Sequence, residues 1–194
     1  MPPSGGGRPA IVLITGLGRQ LTDWDPPLIR RRRTAGFRVI AIDNRDAGGS
    51  THLPGLGKPP LGENRRATER GEAVDVPYLL SDMADDVVRT LDELEIEAAH
   101  IVGVSMGGYI AQELTLNHPT RVLTLTSIMS STGDRTVGQA SDIGMRALFR
   151  APSPDPDEAI EDMLEARRIL ATPGEFDRAV ERARIVEAVR RSFH

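Results

Sequence analysis

The segment AHIVGVSMGG, residues 99–108, constrains the fold of this chain more than any other. A short apolar run ends at Ser105, and a helical pattern begins at Met106. Gly-x-Ser-x-Gly between a strand and a helix is typical of a nucleophile elbow, a sharp turn that holds the serine above a sheet edge. Side chains at Gly103 and Gly107 would collide where strand and helix pack closely, since glycine alone lacks a Cβ. The segment therefore favours a catalytic serine over a plain glycine-rich turn.

The residues that should activate this serine are not evident. A serine nucleophile needs an imidazole base and a carboxylate that orients it, and after an elbow both follow the serine along the chain. The histidines beyond Ser105 are His118 and His194. His118 lies at the predicted end of the elbow helix, where an interaction with the last helix carbonyls is the simpler role. His194 ends a charged tail without a preceding strand, so neither histidine is a credible base.

Composition excludes several classes of protein. The formal net charge of -4 gives no bulk attraction to nucleic acid or to an anionic membrane, and the arginine run 30–33 is expected to form a solvated helix face. The sequence has no cysteine, which rules out disulfides and thiolate metal sites and suits a cytoplasmic protein. No stretch approaches the ~20 apolar residues of a membrane span. Residues 1–9 are predicted to be a flexible leader.

Four apolar runs predict buried strands, at 10–15, 37–43, 99–104 and 121–127. Helical patterns separate them. Strands that alternate with helices imply βαβ units with right-handed crossovers. The sequence therefore predicts an α/β fold with a parallel sheet.

Helix boundaries follow from proline, glycine and capping residues. One helix should begin at Pro26 and end at Gly36, and Ser81 should cap another whose apolar face carries Met83, Val87, Leu91 and Leu94. The elbow helix should extend to Asn117. Residues 44–77, rich in glycine, proline and charge, are predicted to form a long loop with little regular structure.

Beyond about residue 130 the chain is predicted to be helical. Asp155 has the features of an N-cap, with Pro156 at the first helical position and an acid at the third. Ile160, Met163, Leu164 and Ile169 supply the apolar positions of that helix. A last helix is predicted from Phe176 onward.

Two backbone N–H groups are candidates to stabilise an oxyanion. One belongs to the residue after the serine, Met106, at the positive end of its helix. The other lies in the loop after an early strand, where Leu17 N–H is the candidate. Gly16-x-Gly18 followed by Asp43 also loosely resembles a dinucleotide-binding fingerprint. That alternative is disfavoured because Leu21 occupies the third glycine position.

The loop after the second strand, residues 43–50, should lie on the same face. Asp43 and Arg45 are expected to satisfy buried backbone groups in a hydrogen-bonded loop, in preference to a catalytic role.

Together these residues resemble the α/β-hydrolase superfamily, in particular aclacinomycin methylesterase-like enzymes and related lipase/esterase-type hydrolases. The resemblance covers most of the chain to about 135. It is carried by residues 16–21 with Trp24, 43–51, Tyr78 with 82–86, 103–108, and 127–130 with 132–133.

The resemblance implies an α/β-hydrolase-type sheet, truncated to about four recognisable strands, in a core over 10–135, with an incomplete helical cap over 136–194. It implies Ser105 as nucleophile, Leu17 and Met106 N–H as the oxyanion hole, and ester cleavage through an acyl-enzyme, without cofactor or metal. Two departures stand out. Thr15-Gly16 replaces the His-Gly of many relatives, and the family's acid and histidine would follow two further strands that this sequence lacks. Asp134 is a candidate substitute acid, although a surface turn is the preferred interpretation.

Two hypotheses follow. The first is a serine hydrolase acting on a small-molecule ester, nearly inactive as this chain alone because triad members are missing. The second is a non-catalytic binding or assembly module. The fourth strand's outer edge would be unpaired, and open edges invite pairing with another chain, so self-association is expected there.

Overall fold

The computed structural model describes residues 7–56, 61–74, 76–134, 136–138, 141–151 and 153–192. Of residues 61, 62, 65 and 69 it describes the backbone alone. Most of the predicted leader, residues 1–6, lies outside the described residues, as does His194.

A parallel four-stranded sheet forms the centre of the fold, in the order β2-β1-β3-β4. The strands are β1 (Ala10–Ile14), β2 (Arg38–Ile42), β3 (Ala99–Val104) and β4 (Val122–Ile128). All four predicted strands are confirmed, with ends that differ by one residue at most. Because the strands are parallel, the loops that follow them meet at one edge of the sheet.

Seven α-helices occur among the described residues: α1 (Pro26–Thr34), α2 (Leu61–Glu69), α3 (Leu80–Glu93), α4 (Met106–Asn117), α5 (Asp142–Phe149), α6 (Pro156–Leu170) and α7 (Arg178–Arg191). Short 3-10 helices span Leu21–Asp23, Pro54–Leu56 and Pro119–Arg121. The predicted long loop over 44–77 is therefore wrong in part, since it contains α2 and one 3-10 helix. Its glycines and prolines lie mainly before α2, whose Glu, Arg and Ala residues favour helix.

The start of α3 also differs from the prediction. Leu79 is the N-cap, and Ser81 lies inside the helix. Asp82 Oδ2 accepts a hydrogen bond from Leu79 N at 2.6 Å. A carboxylate at the third helical position thus satisfies the backbone donor, and no serine cap is needed.

The two long C-terminal helices have aspartate caps. Asp155 caps α6 as predicted, and its Oδ1 accepts hydrogen bonds from the backbone N–H groups of residues 157 and 158, each at 3.0 Å. Asp177 caps α7 in the same way. Phe176 therefore precedes α7, contrary to the prediction, because the N-cap decides the helix start. Its ring packs against the apolar contact of α6 with α7.

The apolar core lies on both faces of the sheet. Side chains of β1 and β3 pack against α3 and α4 on one face, where the fully buried residues include Val12, Ile14, Val87, Leu91, Ile101, Ile110 and Leu114. On the other face β1 packs against Trp24 and α1. A separate cluster of Ile160, Leu164 and Ile185 joins α6 to α7. Full burial of such a side chain contributes roughly 1.5–3 kcal/mol.

Strand β4 lies at one of the two edges of the sheet, and most of its residues are exposed. Within the described parts of the chain it pairs with β3 alone. Leu125 is 39% exposed and Ile128 is 44% exposed. The strand therefore presents apolar side chains and unpaired backbone groups to solvent.

Among the described residues, no helix is both long enough and apolar enough to cross a membrane.

Candidate active site

Ser105 lies in a strained turn between β3 and α4. Its backbone has a φ of 55° and a ψ of -120°, a positive-φ conformation that is costly for a residue with a Cβ. Ser105 N donates to Ile128 O at 2.9 Å, and Gly108 N donates to Ser105 O at 2.8 Å. These two hydrogen bonds fix the turn between the end of β4 and the first turn of α4.

Three glycines allow this turn to pack. A Cβ on Gly103 would overlap the carbonyl group of Gly107, and a Cβ on Gly107 would overlap the carbonyl group of Ile14. A Cβ on Gly108 would lie 2.6 Å from Ser130 Cβ. The collision expected at Gly103 and Gly107 is thus present, and backbone atoms on the other side leave no room for a side chain to move away.

The loop after β1 lies against the serine. It forms a β-turn in which Arg19 N donates to Gly16 O at 3.2 Å. Gly18 has a φ of 63°, a conformation that glycine adopts more readily than any other residue. A Cβ built on Gly16 would lie 3.1 Å from Ser105 Cβ and 3.6 Å from Ser105 Oγ. The turn therefore begins directly against the serine side chain, at Gly16.

The groups predicted to act in catalysis have no partners within the described chain. No described residue accepts a hydrogen bond from Leu17 N or Met106 N, and none is hydrogen-bonded to Ser105 Oγ. Ser105 is partly exposed. Two backbone donors and one hydroxyl thus remain available to a bound molecule where the β1 loop meets the first turn of α4.

Asp43 joins the loops around this site. Its carboxylate accepts hydrogen bonds from Leu21 N at 2.6 Å, from Gly49 N at 2.9 Å and from Arg191 Nη2 at 2.8 Å. The side chain is 3% exposed. Burial alone would raise the pKa of Asp43, but Arg191 and the two N–H groups outweigh it and hold that pKa below its ordinary value. The carboxylate is therefore committed to the chain itself and not to a ribose.

The rest of the 43–50 loop is hydrogen-bonded as predicted. Asn44 Nδ2 donates to Thr15 O at 3.0 Å, and Ser50 Oγ donates to Asp43 O at 2.6 Å. Arg45 forms two hydrogen bonds with Asp86 of α3, at 2.7 and 2.9 Å. The loop thereby holds the ends of β1 and β2 in place.

The predicted role of His118 is wrong. Its Nε2 lies 2.8 Å from Asp85 Oδ1, on the neighbouring helix α3, and not against the helix carbonyls. The packing of α3 beside α4 supplies this carboxylate. His118 is separated from Ser105 by the 12 residues of α4, about 18 Å of helix.

Asp134, the candidate substitute acid, accepts hydrogen bonds from Thr136 N and Oγ1 in an exposed turn, as preferred from the sequence.

A cavity of about 340 Å³ adjoins Leu17. It lies between the β1 loop, residues 46–48 and helices α5, α6 and α7. Its apolar lining includes Leu17, Ala47, Ala147, Leu148, Met163, Ala166, Leu170 and Val189, and its charged lining consists of Arg19, Asp23, Asp46, Arg150, Asp162 and Arg167. No group of three or more His, Asp or Glu among the described residues is arranged to hold a metal.

Sequence reasoning missed the contacts that bring α7 to this cavity. Gln20 Nε2 donates to Ala188 O at 2.9 Å, and Arg191 Nη1 donates to Gln20 Oε1 at 2.9 Å. The partners are separated by about 170 residues, and no local pattern relates them.

Comparison with known proteins agrees with this architecture. A sequence profile described as alpha/beta hydrolase fold matches residues 9–167. Rhodomycin D methylesterase DauP from Streptomyces sp. (strain C5) is 29% identical over 183 residues, which cover 84% of this chain and 55% of that protein. A putative carbamate hydrolase RutD from Variovorax paradoxus (strain S110) is 34% identical over 119 residues, 61% of this chain and 37% of that protein.

A solved structure shows the same fold. The meta-cleavage product hydrolase CumD from Pseudomonas fluorescens IP01, a serine-to-alanine mutant complexed with acetates, superposes with a TM-score of 0.65 at 23% identity. The match covers 95% of this chain and 58% of that one. The chain spans about half the length of the curated methylesterases that it matches.

Proposed function

The chain belongs to the alpha/beta hydrolase fold family, and from that premise we propose that Ser105 is the nucleophile of a serine hydrolase acting on small carboxylic esters. One observation carries the proposal: a serine on a strained turn lies against the loop after β1, and neither its hydroxyl nor Leu17 N has a hydrogen-bond partner among the described residues. Strain of about 1–3 kcal/mol persists where the surrounding structure imposes it, and such positions cluster at functional sites.

The reaction would proceed through an acyl-enzyme. Ser105 Oγ attacks the carbonyl carbon of the ester and gives up its proton to solvent water, and the carbonyl oxygen becomes an oxyanion. Leu17 N and Met106 N would donate to this oxyanion, the kind of interaction that is often the largest single contribution to catalysis. Collapse of the intermediate breaks the ester C–O bond, and the departing alkoxide takes up a proton. Water then hydrolyses the acyl-enzyme and restores the serine.

The lack of a base next to Ser105 among the described residues would limit this reaction. No described histidine is hydrogen-bonded to Ser105, and His118 is committed to Asp85. Loss of triad members can lower turnover by about 10⁴ or more, which leaves a residual rate from the oxyanion hole and binding. We therefore expect slow acylation by this chain. The named activities of the relatives, a methylesterase and a putative carbamate hydrolase, support an acyl-transfer reaction at this site.

The proposal predicts covalent labelling of Ser105. A fluorophosphonate probe phosphonylates a serine held beside oxyanion donors, and the rate should be low because no described histidine contacts Ser105. Intact-mass and peptide mass spectrometry should locate one adduct on Ser105. Ser105→Ala should abolish it, while Ser81→Ala, at a helix position in α3, should leave it unchanged. An adduct on another residue, or equal labelling of Ser105→Ala, would contradict the proposal.

A second candidate function is assembly through β4. Its outer edge is unpaired within the described chain, and the exposed residues Leu123, Leu125 and Ile128 lie along it. Exposed apolar edge strands pair readily with other chains. The occupant we propose is the β4 strand of a second copy, which would extend the sheet across a two-fold axis.

This second candidate predicts a dimer that a charge on β4 disrupts. Leu125→Lys should shift the chain to monomer, because lysine on an edge strand opposes pairing. Leu116→Lys, on the far end of α4 at a position 76% exposed, is the matched control and should stay dimeric. Sedimentation velocity measures both. A wild-type chain that remains monomeric at high concentration would rule out assembly by this route.

A further inference from the structure

Met129, the residue after β4, has a backbone φ of 51°. A positive φ is uncommon outside glycine, and it is least unfavourable for Asn and Asp. Two other described residues with a positive φ have local reasons for it. Asp46 belongs to the tolerant type, and Glu95 follows the end of α3, where its N–H donates to Asp92 O at 2.9 Å as helix ends commonly do. Met129 has neither reason, and in this it resembles Ser105.

The turn at Met129 is joined to the turn at Ser105. Ser105 N donates to Ile128 O at 2.9 Å, and that carbonyl group belongs to the peptide plane that ends at Met129 Cα. Met129 Cα therefore lies within about 6 Å of Ser105 N. Because β3 lies between β1 and β4 in the sheet, Leu17 follows the strand on one side of the serine and Met129 follows the strand on the other.

Packing within the chain does not account for a methionine at this position. Met129 is 69% exposed, whereas Met83 in the core is 6% exposed. An apolar side chain stabilises a fold through the area that it removes from water, and Met129 removes little. Glycine would adopt the same φ without penalty. The fold thus gains neither packing nor favourable backbone geometry from this side chain, which lies beside the serine turn.

We infer that Met129 is a specificity-determining residue, and that its side chain contacts an unbranched alkyl chain of the ester bound at Ser105. The inference rests on the proposed function and adds the substrate class. Methionine suits such a contact, because its three rotatable bonds and polarizable thioether adapt to apolar groups. With the carbonyl oxygen held at Leu17 N, on the β1 side, the alkyl chain would extend toward β4.

NMR of isotope-labelled methionine methyl groups tests this contact without turnover, in the full chain carrying Ser105→Ala. The Met129 signal is assigned by its loss in Met129→Leu. Methyl hexanoate carries the alkyl chain on the acyl side, hexyl acetate carries it on the alcohol side, and methyl acetate lacks it. At least one of the two long esters should shift the Met129 signal saturably and leave the signal of buried Met83 in place.

The ester that shifts the Met129 signal more shows which side of the ester bond carries the alkyl chain. Methyl acetate is the matched control and should cause a much smaller shift. The inference is overturned if neither long ester shifts the signal saturably, or if methyl acetate shifts it equally.

The rate at which Ser105 is labelled gives a second readout. Fluorophosphonates with an octyl or an ethyl chain are compared, and the octyl probe should react faster with the wild type. Met129→Ala should lower the ratio of the two rates about threefold or more, roughly the contribution of one buried methylene group. A change in the serine turn alone would alter both rates together and leave their ratio unchanged. Leu116→Ala, at an exposed position on the far end of α4, should keep the ratio.

Met129→Gly separates specificity from stability. Glycine relieves the positive φ, so the midpoint of urea unfolding should rise, while the rate ratio should fall as it does in Met129→Ala. Labelling of Ser105 with an unchanged ratio in both variants would retain the nucleophile and refute the role of Met129. If neither probe labels Ser105, the proposed function fails, and the NMR titration still decides whether Met129 contacts the ester because it requires no reaction.

Discussion

Replacing Gly103 by alanine is expected to destabilise the chain by about 3 kcal/mol or more, a large part of the roughly 5–15 kcal/mol that stabilises a domain. The added Cβ would overlap the carbonyl group of Gly107 and lie 2.7 Å from Gly108 N. These are backbone atoms in the first turn of α4, so relief requires moving the helix away from β3. The same movement would displace Ser105, and its fluorophosphonate labelling should fall together with stability.

Gly55→Ala is the matched control for this substitution. A Cβ on Gly55 has no neighbour within 4 Å, and its φ is not positive. Its effect on stability should stay within about 0.5 kcal/mol. Urea unfolding, followed by circular dichroism and by the emission of Trp24, measures both variants. Equal midpoints for Gly103→Ala and the wild type would show that β3 and α4 do not pack as described.

Replacing Arg167 by methionine should cost about 3 kcal/mol, near the lower end of the range for breaking a buried ion pair. Methionine retains most of the length of the side chain but removes the cation that bridges the carboxylates of Asp23 and Glu181. Arg184 remains 3.0 Å from Glu181 and compensates for part of the loss. Asp23 has no such second partner at hydrogen-bond distance among the described residues. Because Arg167 ties α6 to the β1 loop region, α6 and α7 should loosen first.

Arg168→Met provides the control at the neighbouring position. Arg168 is 55% exposed and pairs with Glu165 on its own helix, and such exposed pairs contribute about 0–1 kcal/mol. Hydrogen exchange should show faster exchange in α6 and α7 for Arg167→Met alone. If both substitutions have the same small effect, the Asp23–Arg167–Glu181 contact does not hold these helices to the sheet.

Local patterns were sufficient to predict the sheet and the serine turn. Continuous apolar runs predicted β1 to β4, and the glycines flanking Ser105 predicted where β3 and α4 approach each other. The cap of α6 at Asp155 was also predictable, because its hydrogen bonds reach only two and three residues along the chain. Each of these features is determined by residues close together in sequence.

The errors have two physical causes. The start of a helix depends on which nearby group satisfies the free N–H donors at its first turn. Asp82 and Asp177 supply that group here. The two helices therefore do not begin where Ser81 and the apolar pattern at Phe176 predicted. Long-range contacts, such as Arg191 with Asp43 and Arg167 with Asp23, join residues separated by about 145 positions. No periodicity encodes these contacts, which is why sequence reasoning did not find them.

The backbone conformation of Ser105 affects the stability of this fold. Glycine could occupy its positive φ without penalty, whereas any other L-residue there lowers the free energy of unfolding by about 1 kcal/mol or more. A sequence optimised for durability alone would place glycine at this bend. Keeping a hydroxymethyl group there instead costs the molecule thermal resistance at this bend, a cost that the proposed nucleophile would explain.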